Sequence, residues 1–295
     1  METIKLLRPK QWIKNSFLFI PLFFAGEISN FHKIFNVFGG FLAFSLIASS
    51  VYILNDYRDI EADKKHPTKC KRPLAAGTVS KKNAIIIFLL CLTIGFSLAY
   101  GLRLKFFFVL LLYFTLNIGY SFGLKNISIL DVIIVAIGFV LRVKSGGVLG
   151  YISISEWLNL MVFLLSLIMA IAKRRDDVLL KINSGTEMRK VVKGYNLEFM
   201  NVALAMLSAI TIMSYLLYSL SGEIIKQWST HRLYYTCLFV IAGILRYLQI
   251  TFVENRTGSP TGILYKDKFI QASIFLWILS FYFLIYYPEV KIFGE

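Results

Sequence analysis

The sequence predicts an all-α, polytopic membrane protein with nine transmembrane helices, and three observations point there. Of the 295 residues 57% are hydrophobic and only 17% charged, with a mean hydropathy of +0.66. A soluble chain of this length could not hide that much apolar surface. The apolar residues are gathered into runs, most near the ~20 residues that cross about 30 Å of hydrocarbon. The 32 Lys and Arg outnumber the 17 Asp and Glu, and the basic residues lie mainly between those runs. Nucleic-acid binding would instead spread them over a polar surface, so that class is excluded.

The runs cover residues 16–27, 34–54, 84–101, 104–122, 127–150, 157–172, 199–220, 233–252 and 269–287. The first is short and contains Pro21. The second runs straight into an acidic stretch, and the fifth is interrupted by Asp131, Arg142 and Lys144. The sixth runs into Lys173-Arg174-Arg175-Asp176-Asp177, and the last three read only as hydrophobic helices. Backbone polar groups in lipid must be satisfied within the segment, which calls for helices, and the alternation of a barrel strand is absent from these runs. Most Lys and Arg fall in the N-terminal segment and in alternate loops. The positive-inside rule therefore puts the N-terminus in the cytoplasm and, with nine spans, the C-terminus outside a bacterial inner membrane. Residues 55–82 and 173–197 become charged cytoplasmic loops and residues 1–15 an amphipathic cytoplasmic segment of one membrane domain. Cys70, Cys91 and Cys237 have no metal-ligand or disulfide spacing, and no cleavage site follows the first apolar run.

The densest chemistry is Asn55-Asp56-Tyr57-Arg58-Asp59-Ile60-Glu61-Ala62-Asp63. Asp56, Asp59 and Asp63 fall at i, i+3 and i+7, on one face of a helix. Three like charges at a membrane boundary are costly unless a cation neutralises them, and hard oxygen ligands suit Mg²⁺ shared with substrate phosphates. Lys64 to Gly77 follows, with Lys69 as a point charge and Arg72 as a bidentate phosphate ligand. A basic loop is also a topology signal, which accounts for its charge but not for its Pro-flanked pattern. His66, before Pro67, reads as a cap or turn residue. Asp131 and Arg142, three turns apart, share a helix face, and Arg142 either marks a polar cavity or snorkels to the far interface. Arg8-Pro9-Lys10-Gln11-Trp12-Ile13-Lys14-Asn15 reads as an interfacial anchor that could supply Lys14 and Asn15 to a ligand. Taken alone, these residues indicate Mg²⁺-dependent transfer involving a diphosphate at the cytoplasmic face.

The N-D-x-x-D-x-x-x-D motif at Asn55–Asp63, with a second polar cluster after the sixth span, resembles the UbiA superfamily of intramembrane prenyltransferases. R-P-x-Q-W-x-K-N at Arg8–Asn15 is similar to the bacterial decaprenyl-phosphate phosphoribosyltransferases within it. So are D-x-x-H-P-x-K-x-x-R-P-L-A-x-G at Asp63–Gly77, Y-S-x-x-L-K at Tyr120–Lys125 and L-D-x(9)-L-R at Leu130–Arg142. The resemblance implies helices around a central cavity open to the cytoplasmic face. It implies transfer of 5-phosphoribose from phosphoribosyl diphosphate to a polyprenyl phosphate, with pyrophosphate released. Asp56, Asp59 and Asp63 would hold Mg²⁺, with Asn55 orienting metal-bound oxygens or a ribose hydroxyl. Lys14, Asn15, Lys69 and Arg72 would take the donor phosphates. Tyr120, Lys125, Asp131, Arg142, Lys173, Arg174 and Asp177 would serve the lipid phosphate or the second cluster. That cluster carries more cation and less carboxylate than in the aromatic prenyltransferases, which favours a phosphorylated acceptor. The alternatives are a polyprenyl diphosphate:aromatic acceptor prenyltransferase and a transporter of a phosphorylated solute. A transporter would place polar residues near the midplane of several broken helices. A homo-oligomer is compatible with all of these features.

Overall fold

The computed structural model describes residues 2–64, 69–184, 190–228, 230–254, 262–263 and 266–286. Lys65, His66, Pro67 and Thr68 lie outside them, and with them the expected turn role of His66. Among the described residues the secondary structure is helical, with no strand. Helix α1 (Glu2–Leu7) leads into a 3₁₀ run (Pro9–Phe19) and the five-residue α2 (Ile20–Phe24). Then come α3 (Phe31–Arg58), α4 (Ile60–Lys64), α5 (Lys81–Leu102), α6 (Leu104–Phe122) and α7 (Leu130–Gly150). The chain continues through α8 (Glu156–Ser184), α9 (Leu197–Leu220), α10 (Gly222–Trp228), α11 (Cys237–Phe252) and α12 (Lys268–Tyr286).

Seven helices are long and apolar enough to cross a membrane, and the last helix carries a shorter apolar segment, Lys268–Leu284. The expected first span is not one helix: residues 16–27 divide between the 3₁₀ run and α2, with Pro21 at the start of α2. A 3₁₀ run of 11 residues is unusual, because its hydrogen-bond geometry is poor and side chains at i and i+3 eclipse. Here the packing of Leu18 and Leu22 holds it. The expected loop at 173–197 also begins later, since α8 carries the helix to Ser184. Helix starts follow their caps: the side chains of Asn30, Ser80 and Asn196 accept from the amides of Lys33, Asn83 and Phe199.

The chain divides into two compact units, Met1–Lys125 with Ile137–Ile154, and Asn126–Ala136 with Ser155–Glu295. The first unit packs around Leu18, Leu22, Phe44, Ile47, Phe106 and Leu110. Gly146 lets the backbone approach there, since a Cβ would overlap the Leu18 carbonyl. A smaller core of Leu6, Ile53, Ile60, Leu74, Val79 and Ala84 pins α1 beside the end of α3. Fully burying one such side chain, Leu6, contributes about 1.5–3 kcal/mol. The second unit packs around Leu164, Ile168, Met200, Leu204, Ile250 and Ile270.

Candidate active site

In the first unit α3 ends at Arg58, and Asp59 leaves helical geometry (φ −95°, ψ 9°). The amide of Asp59 still bonds to the Asn55 carbonyl (3.0 Å) and that of Asp63 to the Asp59 carbonyl (2.7 Å). Asp56 and Asp63 therefore keep their two-turn relation while the Asp59 side chain departs. Arg72 Nη1 donates to both Asp56 Oδ1 (3.0 Å) and Asp63 Oδ2 (2.6 Å). Arg8 Nη2 donates to both oxygens of Asp56 (2.5 and 2.7 Å). Lys125 Nζ instead donates to both oxygens of Asp59, each at 3.2 Å. The expected stripe of three carboxylates thus splits into two and one. Among the described residues no three His, Cys, Asp or Glu converge as metal ligands.

Arg8 is a participant that the sequence reading did not place in the site. It reaches Asp56 because the N-terminal segment is tied along α3. Ser49 Oγ donates to the Leu7 carbonyl (2.8 Å), Trp12 Nε1 donates to Ser49 Oγ (3.0 Å) and Asn15 Nδ2 to Ser45 Oγ (2.9 Å). Arg8 itself adopts a left-handed backbone (φ 54°, ψ 57°), which is strained for a side chain of its size. Its guanidinium also lies 5.2 Å from the Tyr52 ring centroid. The signal in the sequence was Arg8 itself, within the quoted Arg8–Asn15 motif.

Arg142 is buried, 5% exposed, and does not snorkel. Its Nε donates to Asn15 Oδ1 (2.8 Å), Nη1 to the Gly138 carbonyl (2.8 Å) and Nη2 to the Tyr113 hydroxyl (3.1 Å). The rings of Phe44, Tyr113 and Phe139 surround the guanidinium at 5.0, 4.9 and 5.2 Å. Among the described residues no carboxylate pairs with it, and the Asp131–Arg142 contact considered from the sequence is not formed. Lys14, beside Asn15, makes no hydrogen bond or ion pair among the described residues. Burial pulls its ammonium down to about 8, helped by Arg142 and Arg8. Two cations close enough to repel each other, with no carboxylate bonded to either among the described residues, suit a phosphate.

The remaining expected residues of this unit are nearby in sequence or sit in the linking turns. Lys69 lies in a 3₁₀ turn (Lys69–Lys71) whose carbonyl accepts from the Arg72 amide (2.9 Å). Tyr120 is in the last turn of α6, where the Ser121 carbonyl accepts from Arg58 Nη1. Asn55 Oδ1 is buried without a hydrogen-bond partner among the described residues. The fit to a divalent cation rests on this orphaned oxygen and on two buried carboxylates that meet at one guanidinium nitrogen. All are hard oxygen donors of the kind Mg²⁺ takes.

The second unit holds a different cluster. Asp131, wholly buried, accepts from Arg174 Nε (2.5 Å) and from the Tyr195 hydroxyl (2.6 Å). The same hydroxyl accepts from the Ile129 amide (2.5 Å). Ile129 is a β-branched residue at φ 71°, a rare and costly conformation that this bond holds in place. Burial and the bond to Asp131 keep the Tyr195 hydroxyl protonated well above the usual range. Gly194 leaves room for Ser128, whose Oγ a Cβ would meet. Arg174 Nη1 also donates to Asp177 (3.0 Å), and Arg175 Nε to Asn201 (2.7 Å). Lys173 is exposed on α8. Asp131 is therefore a structural hub here, and its partners Arg174 and Tyr195 were not legible as such.

A model of the UbiA prenyltransferase family matches residues 17–259. The chain is 34% identical to the decaprenyl-phosphate phosphoribosyltransferase of Corynebacterium glutamicum, across 96% of this chain and 86% of that protein. It is 32% identical to the protein of the same name from Mycolicibacterium smegmatis, across 93% and 89%. Among solved structures, a UbiA homolog from Archaeoglobus fulgidus bound to DMAPP and Mg²⁺ aligns with a TM-score of 0.72 at 22% identity, covering 97% of this chain and all of that one. That likeness shows the fold.

Proposed function

This chain belongs to the UbiA prenyltransferase family, and from that premise we propose that it transfers 5-phosphoribose from phosphoribosyl diphosphate to a polyprenyl phosphate. The relatives' names supply the reaction. The observation in this chain that carries it is the pair of cations, half-buried Lys14 and buried Arg142, without a carboxylate partner among the described residues. Either reaction needs cations for a diphosphate donor, but a phosphorylated acceptor needs cations of its own and an uncharged aromatic acceptor does not.

The polyprenyl phosphate oxygen forms the new bond to the anomeric carbon as the C–O bond to pyrophosphate breaks. The nucleophile is already anionic, so no strong general base is needed. Negative charge grows on the leaving group, and offsetting it is the main lever. Asp56 and Asp63, with Asp59 a turn away and Asn55 beside them, would hold Mg²⁺, which supplies charge to the diphosphate when bound. Lys14, Lys69 and Arg72 bind the donor's phosphates, and Asn15 orients Arg142. Lys125 and Arg142 are assigned to the lipid phosphate. We place the site and the N-terminus on the cytoplasmic side of a bacterial inner membrane, a reading that the basic loops support.

Incubating membranes that contain the protein with labelled phosphoribosyl diphosphate and polyprenyl phosphate should yield labelled ribose in the lipid fraction. Prenylated aromatic acid, with no ribose in the lipid, would overturn this reading.

A further inference from the structure

We infer that Arg8 and Arg72 are exchange partners, leaving Asp56 and Asp63 for the donor's diphosphate as a divalent cation takes the carboxylates, so that cation and diphosphate bind as a unit. This exchange presupposes the proposed reaction and adds Arg8 to its donor-binding residues.

In the structure each aspartate of the motif already has a cation. Arg8 and Arg72 hold Asp56, Arg72 also holds Asp63, and Lys125 holds Asp59. The aspartates are fixed on the end of α3 and the turn and helix that follow it. The cations come from three other segments: the N-terminal strap, the loop after α4 and the turn after α6. Their side chains remain 25%, 28% and 24% exposed, so they can swing without unpacking a core.

A divalent cation arriving alone must displace the two guanidiniums and leave them beside a doubly charged ion. A diphosphate arriving alone draws the guanidiniums away and strands two buried carboxylates, which is costly without a replacement partner. Arriving together, the cation meets carboxylates and phosphate while the guanidiniums meet phosphate oxygens, in the bidentate geometry arginine favours. Each ligand therefore removes the obstacle to the other, and the coupling is reciprocal. The left-handed backbone at Arg8 favours release, because letting go of Asp56 frees it to relax.

The test uses the full chain in detergent and isothermal titration, with Mg²⁺ alone, inorganic pyrophosphate alone, and each in the presence of the other. The association of the two probes in free solution is subtracted. Each should bind at least about tenfold more tightly when the other is present, within the common 5–150-fold range of such coupling. Arg72→Gln should bind Mg²⁺ alone more tightly than wild type, and pyrophosphate alone more weakly. Arg8→Gln should behave alike; if it fails to fold, Arg72→Gln carries the test. Independent binding of the two probes, or equal weakening of both by Arg72→Gln, would overturn the exchange and leave the proposed reaction standing. If neither probe binds wild type, or if Asp56→Asn binds Mg²⁺ as wild type does, the donor site itself has been misplaced.

Discussion

The aspartates at the end of α3 and the aspartate at the start of α7 both pair with arginine, but the pairs are built to different ends. Arg8 and Arg72 keep about a quarter of their side chains exposed, whereas the Arg174 side chain is 4% exposed and Asp131 is wholly buried. Asp56 has two arginine partners and shares one of them, Arg72, with Asp63, so its charge balance can be redistributed. Asp131 has both oxygens committed, one to Arg174 and one to a hydroxyl that also braces a strained turn. Similar residue types thus give an exchangeable ion network in one unit and a locked one in the other. What separates them is water access and the number of alternative partners.

The largest expected effect is at the exchangeable network. Asp56→Asn and Asp59→Asn should abolish transfer while the protein stays folded in detergent. Near-wild-type turnover of either at limiting Mg²⁺ would remove the metal assignment and with it the contrast. In the locked network the loss should be in stability. Arg174→Ala leaves Asp131 buried and unpaired, which costs about 3–5 kcal/mol, so the melting temperature should fall steeply. An unchanged melting temperature with lost activity would show that both clusters serve ligands.

Arg142 shares features of both regions, buried like Arg174 yet without a carboxylate. Lysine cannot reproduce its three-way contact with Asn15, Gly138 and Tyr113. Arg142→Lys should cut catalytic efficiency by roughly tenfold or more, on the order of 1.4 kcal/mol in the transition state. Thermal stability separates the outcomes: preserved melting with lost activity places Arg142 in the site, and a collapsed melting temperature makes it structural. The smallest effect is a pH limb. Lys14 titrates near 8, so its cation is present below that pH and is lost as pH rises through it. Apparent donor affinity should fall by about tenfold at pH 9, one unit above that value, and Lys14→Arg should flatten the limb because arginine stays charged. An unchanged limb in that variant would assign the titration elsewhere.

The membrane class and most helices were legible because hydropathy is a property of local runs. Residues 16–27 misled because a stretch of twelve residues with Pro21 inside it is too short for a span, and its division between 3₁₀ run and α2 depends on packing that only the fold reveals. Asp131 and Arg142 do lie on one helix face, but eleven residues place them about 16 Å apart along the axis, too far to touch. Each therefore takes partners from other segments, and those are long-range: Asn15 for Arg142, Arg174 and Tyr195 for Asp131. Arg8 was missed for the same reason, since its carboxylate lies 48 positions downstream.

Those separations also set a timetable for biogenesis. The strap emerges from the ribosome well before Ser45, Ser49 and Asp56, so Arg8, Trp12 and Asn15 wait for α3 to be made. The bond from Arg142 to Asn15 closes across 127 positions, which take roughly 6–25 s to synthesise at about 5–20 residues per second. Throughout that interval the segment bearing Lys14 lacks its final seat, and a fusion partner that hinders its return would leave a correctly inserted protein without a finished site.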